Sequence, residues 1–527
     1  MLIACIAFLA ACGGGDADEA APGEGSSTTE AQDSGDSEGE GAKSGGVLTV
    51  LVHQDGTSNL DPARSLVHST VSSGPLSAIY DLLVYIDPDT SSVEPYLAES
   101  VEANDDGTVW TLTLREGVQF SDGTPFDAEA VKAEVERLAD PEVGAAARSA
   151  AEAVTVNAVD EVTVEFMPDE PDLNYDGIIA LNFSMIPSPT AIAADPEGFE
   201  QNPVGAGPFI LTDWVVGERK TFERNPNYWQ EGKPYLDGFE TIVVTDPQQQ
   251  INRMDAGDAD LISNQTAELF QSGRDAGFEV VTGGPLSGGF IWIFNHDEAP
   301  FDDVRARRAF QLIVDNEAMN ELLFPAGGVA TPVNHLSETS PYFDPELNLA
   351  EPDAEEAQAL LDELAAAGKP LSFELTTRVG PATQGYAEFA QSAFAKFDNA
   401  DVNIRVLEGG DYLSAVRGGE YSAAYYTGWW SAPYPVMHQI YQTDGPLNYS
   451  HFSNPEVDAL FDEARATSDQ DELREIYGEI VSIMNDEVAV IPFQVAEVGF
   501  IKTDALEGVK GVHLGNTPLW AEMNFVE

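Results

Sequence analysis

Residues 96–138 contain the segments YLAES (96–100), DGTVWTLTLR (106–115), FSDGTPF (120–126) and DAEAVKAEVERL (127–138). The two Asp-Gly pairs are typical of turns. Between them Trp110, Leu112 and Leu114 alternate with threonines, which predicts a strand with one buried face. Asp127 can accept a hydrogen bond from the first turn of a following helix, in which apolar residues recur every three or four positions after Val131. The segment therefore predicts a turn, a strand, a second turn and a helix.

The order of these motifs resembles a signature of the extracytoplasmic solute-binding proteins of the peptide/nickel/opine class, family 5, which serve ABC importers. In that family a Pro-x-Leu-Ala-Glu-Ser run precedes an Asp-Gly turn, a strand that ends in Leu-Arg, and a second Asp-Gly turn before a proline. Here the run occupies Pro95–Ser100, and the remainder extends from Asp106 to Pro125. The signature identifies the family and not the ligand, and its residues are expected to be structural.

Further runs along the chain resemble the same family, at 202–209 (NPVGAGPF), 225–237, 256–261 (AGDADL), 289–305 and 448–458. The first of them could be taken for a nucleotide-binding loop. It lacks the third glycine of a dinucleotide fingerprint and the Gly-Lys-Ser/Thr of a P-loop, and Pro208 removes a backbone donor that a phosphate would need. We therefore interpret it as a structural turn.

The resemblance covers residues 47–500 and implies an α/β, two-lobed, periplasmic-binding-protein-like fold of type II, of the large cluster with an extra subdomain. The ligand cleft is expected between the lobes, which would close around a hinge. We expect chain crossings between the lobes near Phe290–Asn295 and Gln494–Phe500. The expected domains are a signal peptide (1–12), a linker (13–46), lobe I (47–85, 205–288 and 496–527), an extra subdomain of lobe I (86–204) and lobe II (289–495).

The chain is strongly acidic, with 91 Asp and Glu residues, 24 Lys and Arg residues and a formal net charge of -67 over 527 residues. Such a charge argues against nucleic acid and against anionic membranes as electrostatic partners. It is typical of a solvated surface suited to a saline medium. A cationic ligand or metal is the alternative, although charge spread over a whole surface does not by itself form a pocket.

The two cysteines, Cys5 and Cys12, lie within the first dozen residues, so the folded part of the chain can contain no disulfide or thiolate metal site. The apolar run before Cys12 is too short to span a bilayer and is typical of a signal peptide. Leu9-Ala10-Ala11-Cys12 resembles a bacterial lipobox, which implies a lipid anchor on Cys12. The run lacks a preceding Lys or Arg, which suggests a start codon assigned too far downstream. Residues 13–46 are rich in Gly, Ser and acid and are expected to form an extended linker.

The most informative candidate site is the run Ala423-Ala424-Tyr425-Tyr426-Thr427-Gly428-Trp429-Trp430-Ser431-Ala432-Pro433-Tyr434. So many aromatic residues between glycine and proline could belong to a core, but they favour a ligand wall. We name Tyr426, Trp429, Trp430 and Tyr434 as ligand-binding candidates. In the family this run typically carries an aspartate that pairs with the α-ammonium of a peptide. Ala432 occupies that register here, which makes a free-amine peptide a doubtful ligand unless another acid compensates.

Two further residues are candidates for ligand binding. Arg378 ends the predicted strand from Leu371, and the ends of strands hold ligands in α/β domains. It could bind a carboxylate with two hydrogen bonds, or it could be an ordinary surface arginine. Asn59 belongs to the loop after the first strand, which borders the cleft in the family.

The function implied is that of the extracytoplasmic binding component of an ABC importer, for a peptide or peptide-like solute. The alternatives are a non-peptide solute (oligosaccharide, opine or metal chelate) and a sensory or chaperone-like peptide binder without transport. An enzyme is the rival from another class, but Ser-x-x-Lys, Gly-x-Ser-x-Gly, His-Glu-x-x-His and Cys-x-x-Cys motifs are all missing. We expect no cofactor and no bound metal, a monomer attached to the outer face of the membrane or periplasmic, and permease subunits as partners.

Overall fold

The computed structural model describes residues 44–55, 59–65, 67–69, 72–264, 266–325 and 327–526. The expected signal peptide, the lipobox Cys12 and nearly all of the linker lie outside the described residues. Helices and strands alternate along most of the described chain, and their bounds are as follows.

The strands are β1 (Val47–Val52), β2 (Val84–Ile86), β3 (Val93–Pro95), β4 (Ala98–Ala103), β5 (Trp110–Leu114), β6 (Val154–Ala158), β7 (Thr163–Pro168), β8 (Phe209–Val215), β9 (Arg219–Arg224), β10 (Gly238–Val243), β11 (Leu261–Asn264), β12 (Glu279–Thr282), β13 (Leu286–Phe294), β14 (Leu371–Arg378), β15 (Ala400–Leu407), β16 (Ala423–Trp430), β17 (Ile491–Ala496), β18 (Gly499–Lys502), β19 (Leu506–Glu507), β20 (Gly511–Val512), β21 (Thr517–Pro518) and β22 (Asn524–Phe525). The helices are α1 (Ser73–Tyr80), α2 (Ala128–Ala139), α3 (Arg148–Glu152), α4 (Asp176–Asn182), α5 (Pro189–Ala194), α6 (Pro247–Asp255), α7 (Ala267–Asp275), α8 (Val304–Ile313), α9 (Asn316–Leu323), α10 (Ala354–Ala366), α11 (Pro381–Phe394), α12 (Gly409–Arg417), α13 (Val436–Tyr441), α14 (Pro455–Arg465) and α15 (Gln470–Glu487).

The strand and helix predicted from residues 96–138 are confirmed. In β5 the tryptophan and the two leucines are buried and alternate with half-buried threonines. The Asp127 side chain accepts a hydrogen bond from the Ala130 backbone N–H at 2.9 Å and caps α2. β5 belongs to a four-stranded antiparallel sheet with the order β4-β5-β7-β6. Helix α2 and this sheet share an apolar core.

A seven-stranded sheet has the order β12-β18-β11-β1-β10-β9-β8. β1 lies within it and pairs in parallel with β10 and β11. Successive side chains of β1 point to opposite faces of the sheet, so its apolar sequence requires cover on both sides. Leu51 packs with Ile251 of α6 and Phe270 of α7 on one side. Leu48 and Val50 join a second core on the other side that contains Trp520.

A five-stranded sheet has the order β15-β14-β16-β13-β17. β13 pairs antiparallel with both β16 and β17, and all of its residues except Phe290 are buried. Helices α8, α10, α11 and α15 contribute apolar side chains to the core of this sheet, among them Phe310, Leu361, Tyr386 and Ile480. This core and the cores of the seven-stranded sheet contain different residues.

The chain passes between the seven-stranded and five-stranded sheets at residues 283–285 and again at 497–498. The second position falls within Gln494–Phe500, where we expect a crossing between lobes. The first precedes the expected Phe290–Asn295, because Phe290 lies inside β13, which begins at Leu286. Gly288 and Gly289 obscured the start of β13, since glycine is depleted in strands. Both have positive φ, and a Cβ on either would collide with the backbone of a neighbouring strand.

A buried carboxyl group joins α1 to the loop between β9 and β10. Asp81 accepts hydrogen bonds from the Tyr228 hydroxyl at 3.1 Å and the Trp229 indole N–H at 2.9 Å. The Tyr96 ring meets the Trp229 ring edge to face. The Arg115 guanidinium lies over the Trp229 ring, 4.7 Å from its centre. Burial raises the pKa of Asp81 to about 7, although these two hydrogen bonds oppose the rise.

This raised pKa predicts how stability depends on pH. The folded state holds the Asp81 proton more tightly than an unfolded chain, whose Asp pKa is about 3.9. The stability contributed by this group is therefore complete at low pH and is lost as pH rises toward about 7. We expect Asp81→Asn to gain unfolding free energy relative to the wild type as pH rises, by at most about 1.4 kcal/mol per pH unit.

Urea unfolding between pH 4.5 and 7.5 measures this difference. Substitution of the exposed Asp105 by Asn is the control, and equal pH dependence of wild type and Asp81→Asn would contradict the prediction.

Candidate functional site

A cavity of about 400 Å³ is lined by β16 of the five-stranded sheet and by helices α2 and α4, which share a core with the four-stranded sheet. Loop residues 62, 65 and 67–69, together with α13, His513 and Leu514, form much of the remaining wall. The sequence-predicted residues Tyr426, Trp429 and Trp430 all line it, together with Ala432. The volume is typical of sites for small molecules.

The end of β16 positions the aromatic part of this wall. In the register with β13, Trp429 lies opposite Gly288 and Trp430 opposite Ser287. Trp430 is buried and meets Tyr441 of α13 edge to face, with ring centres 6.1 Å apart. Trp429 is half-buried and meets Phe290 in the same manner at 6.0 Å. Of these two tryptophans, Trp430 is therefore packed in the interior and Trp429 has a partly exposed ring.

Glycine at position 428 allows α13 to pack directly on this strand. A Cβ placed on Gly428 would lie 2.6 Å from Cδ1 of Ile440. Tyr426 completes the wall and meets Tyr449 edge to face at 5.1 Å. The spacing of Tyr426, Gly428 and Trp430 puts all three on one face of the strand.

Tyr434 lies outside this cavity, although the sequence grouped it with the tryptophans. Its hydroxyl donates a hydrogen bond to the carboxylate of Asp172, in the loop between β7 and α4. The same loop bonds to the end of α14, where the Asn174 amide donates to the Ala464 and Thr467 carbonyls at 3.0 Å each. Tyr434 thus belongs to a contact between the four-stranded sheet region and the five-stranded sheet region.

Arg378 and Asn59 also lie outside the cavity wall. Arg378 is the exposed last residue of β14. The Asn59 amide donates to a carboxylate oxygen of Glu200 at 2.9 Å, and its carbonyl oxygen accepts the Asp61 backbone N–H at 2.8 Å. The structure therefore brings together three of the six predicted ligand-binding residues and separates Tyr434, Arg378 and Asn59 from them.

Sequence reasoning missed the acidic residue of the wall, Glu134 of α2. Arg137 donates to its two carboxylate oxygens at 2.7 and 3.0 Å and to those of Asp61 at 2.7 and 2.8 Å. Burial raises the pKa of Glu134 to about 7, with Arg137 opposing the rise and Asp61 adding to it. The sequence did contain a signal for this residue. Glu134 follows Val131 by three positions and precedes Leu138 by four, which places an acid on the apolar side of the helix.

Two histidines that the sequence did not single out also line the cavity. The rings of His68 and His513 lie 4.0 Å apart, centre to centre. Burial lowers the pKa of His68 to about 4 and that of His513 well below its ordinary value, so both are neutral at pH 7. Nδ1 of His513 accepts a hydrogen bond from the Ile86 backbone N–H at 3.5 Å. The two rings therefore contribute uncharged surface to the wall.

A larger cavity of about 630 Å³ lies beside α8 and α9, within residues 311–352 together with Ile491 and Pro492. None of the predicted ligand-binding residues lines it, and it does not lie between sheets. A search of the described residues finds no group of three or more His, Cys, Asp or Glu that could hold a metal ion. Nor does any helix in that part of the chain have the length and apolar character needed to cross a membrane.

Several known proteins are similar to this chain. "Heme-binding protein A" of Haemophilus influenzae is 27% identical over 467 residues, which cover 81% of this chain and 83% of that protein. The "Periplasmic oligopeptide-binding protein OppA" of Salmonella typhimurium is 27% identical over 431 residues, 76% of this chain and 78% of that protein. The structure of DppA from Helicobacter pylori in complex with the peptide STSA matches with a TM-score of 0.77 at 23% identity, over 92% of this chain and 99% of that one.

The structural match shows that the fold is that of a two-lobed periplasmic binding protein, as expected from the sequence. The family model described as "Bacterial extracellular solute-binding proteins, family 5 Middle" matches residues 92–450. Because this match spans more than half of the 527 residues, the chain belongs to the bacterial extracellular solute-binding proteins of family 5.

Proposed function

We propose that the protein captures a small peptide or peptide-like solute outside the cell membrane and delivers it to the permease subunits of an ABC importer. The observation that carries this proposal is the cavity of about 400 Å³ with its aromatic wall. A relative whose name states oligopeptide binding and a similar structure in complex with a peptide support the solute class. We propose no reaction, no cofactor and a monomeric state.

We also propose that the division into lobes follows the sheets. Lobe I would comprise 47–85, 205–288 and 496–527, with 86–204 as its extra subdomain, and lobe II would comprise 289–495. The crossing at 283–285 supports moving the first boundary a few residues earlier. Contacts such as the hydrogen bond of 3.0 Å from the Ser91 hydroxyl to the Ser431 carbonyl would then form when the lobes close.

A non-peptide solute is the second candidate. Ala432 lines the cavity at the register where the family typically carries an aspartate for the peptide ammonium. A relative named for heme binding is as similar to this chain as the oligopeptide-binding relative. A sensory or chaperone-like peptide binder would use the same cavity, and failure to bind a permease would distinguish it from a transport component.

A thermal-shift screen of the full chain tests solute binding in this cavity. We expect a solute that binds only the folded protein to raise Tm, by an amount that corresponds to about 2.7 kcal/mol at one hundred times its Kd. The library holds free and N-acetylated di- to pentapeptides, oligosaccharides, opines and metal chelates, at low and high salt.

Ala432→Trp would fill the cavity and should abolish the shift. Substitution of the exposed Val216 by Trp adds the same bulk at the surface and should preserve it. A shift that persists in Ala432→Trp would show that the solute binds elsewhere.

Separate substitutions of Trp429 and Arg378 test which predicted residues form the site. Trp429→Ala removes a half-buried ring from the wall, and we expect the affinity for the solute found in the screen to fall on the order of tenfold. Arg378→Ala should leave affinity unchanged, because Arg378 does not line the cavity. Calorimetric titration measures both, and an equal loss in Arg378→Ala would instead support the carboxylate role predicted from the sequence.

We propose that a lipid on Cys12 anchors the protein to the outer face of the membrane. The lipobox-like Leu9-Ala10-Ala11-Cys12 and the acidic linker after it support this proposal. Cys12→Ser should move the protein from the membrane fraction to the soluble fraction, as measured by fractionation and immunoblotting. Cys5→Ser, a change of the same kind within the apolar run, should leave it in the membrane fraction. Retention of the Cys12→Ser protein in the membrane fraction would refute the anchor.

A further inference from the structure

The buried group formed by Asp61, Glu134 and Arg137 carries more negative than positive charge. One guanidinium faces two carboxylates, with N–O distances of 2.7 Å to each. No second cation of the described residues forms an ion pair with either acid. When both acids are ionised, the group therefore holds one negative charge that the protein does not neutralise.

Glu134 is the member of this group that lines the cavity with the aromatic wall. Its side chain is only 2% exposed, so bulk water offers little solvation. The carboxylate accepts two hydrogen bonds, both from Arg137, whereas an ionised carboxylate can accept about four. Asp61 is not part of the wall and also accepts the Ala63 backbone N–H at 3.0 Å. The unneutralised charge is thus accessible to a solute only at Glu134.

The remainder of the wall offers no positive charge to a carboxylate. No lysine or arginine occurs among the described residues that line the cavity, and burial keeps His68 and His513 neutral. The half-buried rings of Tyr426 and Trp429 can attract cations through the negative face of their π systems.

We propose that Glu134 determines specificity by binding a positively charged nitrogen of the solute, and that the cavity selects monocationic amines with an apolar body and no carboxylate. This inference rests on the proposed function, since it assigns the solute class of the same cavity. It also identifies an acid that compensates for Ala432, from α2 and not from the segment that follows β16. The aromatic wall would hold the apolar body of the solute.

Four forms of one dipeptide, leucyl-phenylalanine, test the proposal by calorimetric titration of the full chain. The amide carries one positive charge, the free dipeptide is zwitterionic, the N-acetyl amide is neutral and the N-acetyl acid is negative. We expect the amide to bind most tightly and the N-acetyl acid least tightly. Glu134→Gln should weaken amide binding on the order of tenfold and leave the N-acetyl amide unchanged. Glu136→Gln, on the same helix with a side chain that is 68% exposed, is the matched control.

Ala432→Asp provides a second variant that does not disturb the buried triad. It places a new carboxylate in the same cavity. Made alone, it should tighten binding of the amide, and combined with Glu134→Gln it should restore that binding. An amide preference that survives Glu134→Gln, or equal affinity for the amide and the N-acetyl amide in the wild type, would overturn the inference. If the wild type binds the amide and the N-acetyl amide equally and Ala432→Trp abolishes binding of both, the solutes still bind in this cavity. The proposed function would then stand without the inference. Failure of all four forms would overturn the inference, and solutes of the wider screen that still bind in the cavity would uphold the proposed function.

The pH profile separates a direct charge from a structural role. As pH falls from 8 to 5.5, Glu134 gains a proton, because its pKa is about 7. The affinity for the amide should therefore fall in the wild type and stay flat in Glu134→Gln. The amine of the probe, with a pKa of about 8, becomes more charged over this range and cannot cause the loss.

The groups facing Glu134 are Arg137, Asp61 and Tyr80, with His68 and His513 across the cavity. Of these, Arg137 remains charged, and Tyr80 and both histidines remain neutral throughout. A wild-type profile as flat as that of Glu134→Gln would overturn the proposal.

Discussion

The pairing of β13 with β16 and β17 is the constraint on which the two-lobed arrangement depends. β13 follows the first chain crossing directly, and β17 precedes the second, so one strand pair adjoins both points at which the chain passes between the two largest sheets. Gly288 and Gly289 make the pairing possible, because a Cβ at either position would collide with the backbone of β16 or β17. Gly288 also lets the Trp430 ring pack against β13. The aromatic wall of the cavity is therefore held next to the crossings by backbone pairing and not by side-chain contacts alone.

Patterns that act over a few residues were predictable from the sequence. The alternation in β5 and the Asp127 cap of α2 depend only on neighbours in the chain, and both are present. Trp429 and Trp430 were identified as wall residues because a dense aromatic run next to glycine is hard to place in a core alone. The family resemblance supplied the larger arrangement, which local patterns do not determine.

Features that depend on distant partners were not predictable in this way. Tyr434 follows the tryptophans by a few residues, yet its hydroxyl bonds to Asp172, far earlier in the chain. Glu134 lies on the apolar side of α2, where an acid looks like an interruption until Arg137 and Asp61 are seen beside it. A sequence shows which residues share a face of one helix, but it does not show which other element covers that face. The expected crossing near Phe290–Asn295 lies inside β13 for a related reason, since the glycines at the start of this strand are explained only by neighbouring strands.

The acidity of the chain bears on the cavity as well as on solubility. With 24 basic residues against 91 acidic ones, cations are scarce. Several basic residues are committed to buried acids or carbonyls, as Lys220 is to Asp55 and Arg307 is to the carbonyls at the end of α15. A cavity without lysine or arginine is consistent with this scarcity. The net negative potential would concentrate cationic solutes near the protein, and this long-range attraction weakens as salt screens it. Ionic strength has much less effect on the attraction between the buried Glu134 carboxylate and a bound cationic solute, because little water or salt reaches this carboxylate. A protein of this composition could therefore lose its long-range attraction in a saline medium and still retain the selectivity that Glu134 provides.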